Sequence, residues 1–289
     1  MNFWNILRVL TTNECNYNCV YCHNEGQARG RGNGIKLQLK EFIRFMESLQ
    51  KYQFKEIRFS GGEPLVNEET IKMIEWAARN TSHEIGLATN GSLMTDDIAR
   101  RLYAANVMTT VHFPGVNNRD YNNVTNSDVE NFFRCCRLLD ANHVDYSFNY
   151  VLYPKTSSNI DSVIQYAVEK RKRIKLLPYI DDTKESFSKT LIEEVSVRLD
   201  AMDCKKKVYD NSGITLWVWE TGGTVKLIES PCYTSDIDKC RDYGEIRLLP
   251  DLSLQHCILG NNYKLKNDDN IEVILKDMWD KFTFCDRRC

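Results

Sequence analysis

Short apolar runs alternate along the chain with longer stretches whose apolar residues recur at helical spacing. Short apolar runs favour buried β-strands, whereas apolar residues three and four positions apart indicate one face of a helix. Phe42, Phe45, Met46 and Leu49 show the helical pattern. Six of the short runs are predicted strands: Leu7–Thr11, Glu56–Ser60, Glu84–Thr89, Met108–His112, Tyr146–Val151 and Ile174–Leu177. Six strand–helix repeats imply parallel strands with right-handed crossovers, and hence an α/β fold.

The pattern changes after about residue 210. Ile214–Trp219 and Val225–Ile228 predict a hairpin, and Tyr243–Leu259 contains two further strand-like runs. Ile271–Phe282 is typical of a helix. These shorter elements predict a small C-terminal appendage that follows the repeats without a long disordered linker.

The composition is that of an ordinary globular protein. The chain has 289 residues, of which 42% are hydrophobic, enough for one large domain or a domain with an appendage. A net charge of −2 gives no basis for binding nucleic acid. No stretch approaches the ~18 apolar residues of a membrane helix, and the first residues do not form a signal peptide. Eleven cysteines without an export signal therefore indicate reduced thiols and metal ligation, in a cytoplasmic protein that needs low oxygen.

Three cysteines near the start of the chain carry the strongest chemical signal. Cys15, Cys19 and Cys22 are spaced C-x3-C-x2-C. Iron–sulfur clusters are normally held by four protein thiolates, so a three-thiolate site leaves one iron open to a small molecule. Zinc is the alternative, but zinc sites usually pair C-x2-C with a second pair at a distance, and none follows nearby. The spacing therefore favours a four-iron cluster.

With these cysteines and two later segments, the chain resembles the radical S-adenosylmethionine (SAM) enzymes. Ser60–Pro64 reads SGGEP and is similar to the family's GGEP segment, and Thr89–Gly91 is similar to a segment at the end of its third strand. The resemblance implies a partial (β/α)6 TIM-like barrel over residues 1–210, with ligands at the carboxyl ends of its strands. It also implies a [4Fe-4S] cluster whose open iron binds the amino and carboxylate groups of SAM. SAM is then cleaved reductively to a 5′-deoxyadenosyl radical.

The GGEP segment is expected to hold the methionine amine of SAM. Gly61 and Gly62 lack a Cβ, so backbone can approach a ligand closely, and Glu63 can accept charge-assisted hydrogen bonds from an ammonium group. In isolation the two glycines would suit an ordinary strand-to-helix turn. Further candidate contacts to SAM are Tyr21, Asn90 and Asn149. Tyr21 could instead be an ordinary core aromatic, and Asn149 could instead bond the local backbone.

Cysteines return near the end of the chain. Cys240 and Cys257 flank the second predicted hairpin, and Cys285 and Cys289 form a terminal C-x3-C pair. Four thiolates from a hairpin and a terminal helix can hold a second four-iron cluster. The arrangement resembles the twitch appendage of radical SAM enzymes, a shortened SPASM domain, and implies an auxiliary [4Fe-4S] domain over residues 211–289.

Alternatives to this second cluster stay open. Four thiolates can also hold zinc, and free buried cysteines are common core residues. Cys232 is a spare or alternate ligand, whereas Cys135, Cys136 and Cys204 fall in stretches predicted to be helical and are expected to be structural.

Three arginines are candidate substrate or catalytic residues. Arg8, Arg58 and Arg247 match positions of the GTP cyclase family that begins molybdopterin synthesis. The chain departs from that family in lacking a C-x2-C pair before the hairpin, in ending at Cys289 rather than Gly-Gly, and in placing Ser147 where a lysine is expected. The four-cysteine arrangement is instead similar to that of a twitch-bearing aminocyclitol dehydrogenase.

The sequence therefore predicts a radical SAM enzyme. We expect hydrogen abstraction from a small polar metabolite, a nucleotide or an aminocyclitol, then cyclisation, rearrangement or oxidation assisted by the second cluster. His112 is a candidate proton acceptor or a satisfied core histidine, and His23 is similarly ambiguous. The expected electron donor is a flavodoxin or ferredoxin. A maturase acting on a ribosomal peptide is the alternative, and an iron–sulfur carrier or sensor is a third class, against which the intact Glu63 argues.

Overall fold

The structure is a computed structural model that describes residues 3–22, 34–49, 52–153, 158–179, 187–209, 213–228, 236–258, 260–266 and 268–285. His23, Cys232 and Cys289 lie outside these described residues. Within them, no helix is both long enough and apolar enough to cross a membrane.

Six parallel strands form the centre of the fold, each beside the next in chain order. They are β1 (Ile6–Leu10), β2 (Glu56–Ser60), β3 (Glu84–Thr89), β4 (Met108–His112), β5 (Tyr146–Leu152) and β6 (Arg173–Pro178). The helices between and after them are α1 (Leu39–Glu47), α2 (Thr70–Asn80), α3 (Asp96–Ala104), α4 (Asn118–Thr125), α5 (Glu130–Ala141), α6 (Ile160–Glu169) and α7 (Phe187–Asp200). A 3-10 turn, Pro64–Val66, precedes α2. The predicted α/β fold with parallel strands is confirmed.

The remaining elements extend both edges of this sheet. After α7 come β7 (Lys205–Tyr209), β8 (Ile214–Val218) and β9 (Thr224–Ile228), followed by α8 (Ile237–Tyr243), β10 (Glu245–Leu248), β11 (Ser253–Gln255), β12 (Tyr263–Lys264) and α9 (Ile271–Lys281). β9 pairs in parallel with β6, and β10 pairs in parallel with β1. The strand order is therefore β12-β11-β10-β1-β2-β3-β4-β5-β6-β9-β8-β7. The division into domains at residue 210 stays a prediction.

Strand β7 is an element that the sequence pattern did not predict. Its five residues are all exposed, and the strand forms because it pairs along its whole length with β8. Cys204 lies at a bend before β7, so its predicted helical position is wrong: α7 already ends at Asp200. Cys135 and Cys136 are buried within α5, as expected of structural cysteines.

The strands alternate between an apolar face and a polar face. On β2, Ile57 and Phe59 are fully buried, and the Phe59 ring lies 5.6 Å from that of Phe42 on α1. Glu56 and Arg58 alternate with them and so point to the opposite side of the sheet. The helices therefore cover the outer, apolar face, and the polar residues line the inner wall.

The C-terminal helix packs against the start of the chain. The buried Trp4 indole donates from Nε1 to the Leu275 carbonyl at 3.0 Å. Its ring makes an edge contact with Trp279, with centroids 4.9 Å apart, and stacks on Phe282 at 5.8 Å. Trp4 therefore joins β1 to α9.

We expect Trp4→Ala to lower the free energy of unfolding by about 3–5 kcal/mol, because it leaves a large cavity between β1 and α9. Denaturant unfolding followed by circular dichroism measures this change. Tyr103→Ala is the matched control, since that aromatic ring is 58% exposed and its loss should change stability by about 0.5 kcal/mol or less. Equal losses for the two variants would contradict the role assigned to Trp4.

Candidate functional site

The cysteine motif lies on the loop that follows β1, beside the turn that follows β2. Three backbone hydrogen bonds join the two segments: Thr11 N–H to the Ser60 carbonyl at 2.9 Å, Gly62 N–H to the Thr12 carbonyl at 2.9 Å, and Glu63 N–H to the Glu14 carbonyl at 2.8 Å. A Cβ on Gly61, which has a φ of +143°, would lie only 2.5 Å from the Thr12 carbonyl oxygen. The glycine is therefore required for the close approach of the cysteine loop itself.

The three thiols of this loop influence one another. Cys15 and Cys19 are half-buried and Cys22 is exposed. Burial, together with the nearby Glu63 and Cys22, raises the pKa of Cys15 to about 11. Burial, with the charges of Cys22 and Cys15, also raises the pKa of Cys19. The Cys15 and Cys19 thiols are therefore protonated at neutral pH, and binding of a metal would release those protons.

The three thiols of the loop fit the donor set of a cluster. Within the described parts of the chain, no three His, Cys, Asp or Glu side chains gather closely enough to hold one metal ion. In a cluster, each thiolate binds a different iron, so the ligands need not converge on one point. Three thiols on a single loop fit that requirement.

Glu63 ties the turn after β2 to the end of β3. Its buried carboxylate accepts hydrogen bonds from Thr89 Oγ1 at 2.6 Å, Asn90 N–H at 2.7 Å and Leu65 N–H at 3.1 Å. Burial raises the pKa of Glu63 to about 7, although all three hydrogen bonds act to lower it. A carboxylate has about four acceptor positions, so one remains for an ammonium group.

Asn90 is brought to the cysteine loop by a small hydrogen-bond network. Its Nδ2 donates to Asn16 Oδ1 at 2.9 Å, next to Cys15, and its Oδ1 accepts from Ser92 Oγ at 2.7 Å. Asn16 in turn donates from Nδ2 to Ser92 Oγ at 2.7 Å. Asn90 therefore positions the loop, in addition to the ligand contact predicted for it.

Tyr21, His112 and Asn149 meet at the end of β4. The Tyr21 hydroxyl lies 3.0 Å from His112 Nε2, and His112 is the register partner of Asn149 on β5. Burial lowers the pKa of His112 to about 4, so the imidazole is neutral at physiological pH. The ring of Tyr153 lies 5.6 Å from that of Tyr21 and extends this wall. The sequence-based candidates on β4 and β5 are thus gathered beside the cysteine loop.

Two buried polar atoms in this region have no hydrogen-bond partner within the described residues: Ser60 Oγ and Asn149 Oδ1. Buried polar atoms in native proteins are almost always bonded. Ser60 ends β2, beside the cysteine loop, and Asn149 lies on β5 as the register partner of His112. A bound polar ligand at this mouth would satisfy them.

The three candidate arginines lie together in a deeper layer of the inner wall. Arg8 makes two hydrogen bonds with the Glu245 carboxylate, at 2.8 and 2.7 Å, and Arg247 lies 3.1 Å from the same group. Arg58 pairs with Glu56 at 2.9 Å and donates to the Tyr243 hydroxyl at 2.9 Å. Burial alone would raise the pKa of Glu245, but Arg8, Arg247 and Arg58 outweigh it and hold that pKa well below its usual range.

Sequence reasoning missed the carboxylates that pair with these arginines. Glu56 and Glu245 each precede an arginine by two positions. That spacing puts both side chains on one face of a strand, and it could have predicted that each carboxylate lies beside an arginine. A Cβ on Gly86 of β3 would lie 2.8 Å from Glu56 Oε1, so the neighbouring strand leaves room for this pair.

The three described C-terminal cysteines lie on separate elements: Cys240 on α8, Cys257 after β11 and Cys285 after α9. All three are half-buried. The fourth predicted ligand, Cys289, is outside the described residues, so the second cluster stays a prediction.

Known proteins share both sequence and fold with this chain. The profile of the radical SAM superfamily matches residues 9–167. A protein of Methanothermobacter thermautotrophicus named "Probable GTP 3',8-cyclase" is 24% identical over 268 residues, which cover 89% of this chain and 85% of that protein. The GTP 3',8-cyclase of Desulforamulus reducens is 33% identical over 93 residues, covering 32% of this chain and 29% of that protein.

Solved structures extend the likeness to nearly the whole chain. SuiB of Streptococcus suis bound to S-adenosylmethionine matches with a TM-score of 0.71 at 12% identity, covering 96% of this chain and 66% of that one. The structure of anSMEcpe with bound AdoMet matches with a TM-score of 0.63 at 15% identity, covering 95% and 82%. At these identities the likeness is one of fold. Because the family profile itself spans more than half of the 289 residues, the chain belongs to the radical SAM superfamily of enzymes.

Proposed function

We propose that this enzyme holds a [4Fe-4S] cluster through Cys15, Cys19 and Cys22 and uses SAM to abstract hydrogen from a small polar metabolite of the nucleotide class. When bound, the cluster supplies the electron that cleaves SAM to a 5′-deoxyadenosyl radical. The observation that carries the proposal is the three-thiol loop, fixed by backbone contacts beside two buried polar atoms without internal partners.

The residues around this loop have distinct roles in the proposal. Glu63 offers its remaining acceptor position to the SAM ammonium. Asn149 offers its buried Oδ1 to another polar group of the ligand. Tyr21 and the neutral His112 form a wall that excludes water from the reacting atoms and orients the ligand beside Asn149.

Two observations favour a nucleotide as the substrate. The relatives quoted above carry the name GTP 3',8-cyclase, although at 24% identity over most of the chain. Independently, the inner wall concentrates Arg8, Arg58 and Arg247, a set suited to an anionic substrate. A solved structure of SuiB bound to the precursor peptide SuiA also matches, with a TM-score of 0.69 at 14% identity. That likeness concerns the fold alone and does not favour a peptide substrate. The charged inner wall favours the metabolite over a peptide.

The second cluster is supported by where the C-terminal elements meet. Arg241, next to Cys240, donates to the Trp279 and Phe282 carbonyls at 3.0 and 2.6 Å. The ring of His256, next to Cys257, lies 4.8 Å from that of Phe282. The neighbours of two cysteines therefore converge on the end of α9, three residues before Cys285. Such convergence suits an auxiliary cluster that exchanges an electron during turnover.

We expect Cys19→Ala to abolish reductive SAM cleavage, because two thiolates cannot hold a cluster with one open iron in this loop. Reconstituted protein is assayed anaerobically for 5′-deoxyadenosine with dithionite as reductant. Cys204→Ala is the control, since that half-buried thiol lies outside the loop. Normal 5′-deoxyadenosine formation by Cys19→Ala would contradict the proposal.

We expect Glu63→Ala to weaken SAM binding roughly 10- to 150-fold, which corresponds to the loss of one charged hydrogen bond of about 1.5–3 kcal/mol. Iron content should be retained, because Glu63 is not a thiolate ligand. Equilibrium binding of SAM and iron analysis are measured on the same preparations, with the exposed Glu68→Ala as control. A collapse of iron content with unchanged residual affinity for SAM would show that the carboxylate acts on the loop and not on the ligand.

We expect deletion of residues 284–289 to reduce the iron content from about eight to about four per chain, because it removes two of the four thiolates of the auxiliary cluster. Iron analysis with Mössbauer spectroscopy on the truncated and full-length proteins gives the measurement. The same iron content in both would exclude Cys285 and Cys289 as ligands. Cys204→Ala again controls for the loss of a thiol as such.

A further inference from the structure

Two lysines stand side by side on the inner wall, on the strands beyond the arginines. Lys175 on β6 and Lys226 on β9 are direct register partners in a parallel pair, so their side chains share one face. Both are half-buried. The opposite face of the two strands is fully apolar and covered, with four buried residues: Ile174, Leu176, Val225 and Leu227.

Neither ammonium group has a hydrogen bond or ion-pair partner among the residues that the structure describes. The arginines differ, because Arg8 pairs with Glu245 and Arg58 with Glu56. Burial, together with the charges of Arg58 and Lys226, lowers the pKa of Lys175 to about 8, although Glu56 acts to raise it. Like charges side by side on a sheet oppose folding. The repulsion between the two lysines therefore lowers the stability of the folded protein, and a bound anion would remove that repulsion.

The charge balance of the inner wall indicates what kind of anion would bind there. Among the described residues, five cations lie within electrostatic reach of one or the other of two carboxylates, Glu56 and Glu245. The cations are Arg8, Arg58, Arg247, Lys175 and Lys226. One carboxylate from a substrate would leave this excess largely uncompensated, whereas a di- or triphosphate carries several charges. Lysine binds phosphate as a compact point charge with three donors.

The register also sets the distance from this pair to the mouth. His112, Asn149, Lys175 and Lys226 are successive register partners on β4, β5, β6 and β9. Three strand spacings of about 4.8 Å separate the first from the last. The path along the wall from His112 is thus about 10 Å to Lys175 and about 14 Å to Lys226, which leaves room for a nucleoside.

We infer that Lys175 and Lys226, with Arg58 facing them, form the receptor for a multiply charged phosphoryl group of the substrate. The inference rests on the proposed function and adds to it the chemical class and the orientation of the substrate. The phosphoryl end lies against β6 and β9, and the part that reacts lies toward Tyr21 and His112.

Inorganic tripolyphosphate is the probe that tests this receptor. Its binding to the full-length, iron-reconstituted protein is measured by isothermal titration calorimetry at fixed ionic strength. We expect Lys175→Gln and Lys226→Gln each to weaken binding about 10-fold or more, since each removes a charge-assisted contact. Lys175→Arg, which keeps the charge, should stay within about threefold of the parent, and Lys207→Gln on the exposed β7 is the matched control.

Four outcomes decide the matter. Selective loss of tripolyphosphate binding in the two glutamine variants, with normal iron content and circular dichroism, supports the receptor. Equal binding by all variants, or no binding by the parent protein, overturns it. Butane-1,2,3,4-tetracarboxylate, a carboxylate of more nearly matching charge, must bind more weakly than tripolyphosphate; equal affinity overturns the phosphoryl assignment. Because the titration does not require SAM cleavage, failure of the proposed radical chemistry appears only in the separate 5′-deoxyadenosine assay.

Discussion

The cysteine loop depends on one steric constraint, the distance between the backbones that follow β1 and β2. These two strands are parallel neighbours, so the chain leaves both at the same edge of the sheet. The segments then run close enough for Gly62 N–H to bond the Thr12 carbonyl, and any side chain at Gly61 would collide with that oxygen. Glu63 follows directly and fastens the same turn to β3. The geometry of the thiols is thus set by a backbone contact that no ligand is needed to form.

A second organising feature is the division of the inner wall into two layers. Neutral polar groups, Asn149 and the neutral His112 among them, lie toward the cysteine loop. Charged groups lie deeper, where Glu245 is held ionised by the arginines around it. Charges buried with partners are tolerable, and charges without partners are costly. The layering therefore places the paired arginines and carboxylates away from the cysteine loop.

Much of this architecture follows from local sequence, and some of it does not. β2, β3 and β4 begin and end at the predicted residues, because each is a short apolar run between polar segments. β7 was missed, since Lys205–Lys207 has no apolar face of its own and becomes a strand only by pairing with β8. The partner of Arg8 was missed for a related reason. Glu245 reaches Arg8 through the pairing of β1 with β10, and nothing near either residue indicates that pairing.

The pairing of β1 with β10 also bears on how the chain folds as it is made. Ile6 lies opposite Glu245, so the outer edge of β1 stays uncovered until residue 245 has been synthesised. At about 5–20 residues per second, synthesis takes roughly 10–50 s to reach that point. During this interval β1 is an open sheet edge, next to the three thiols of the cysteine loop, and open edges recruit foreign strands. The nascent chain is therefore most vulnerable to aggregation and oxidation until β10 has left the ribosome.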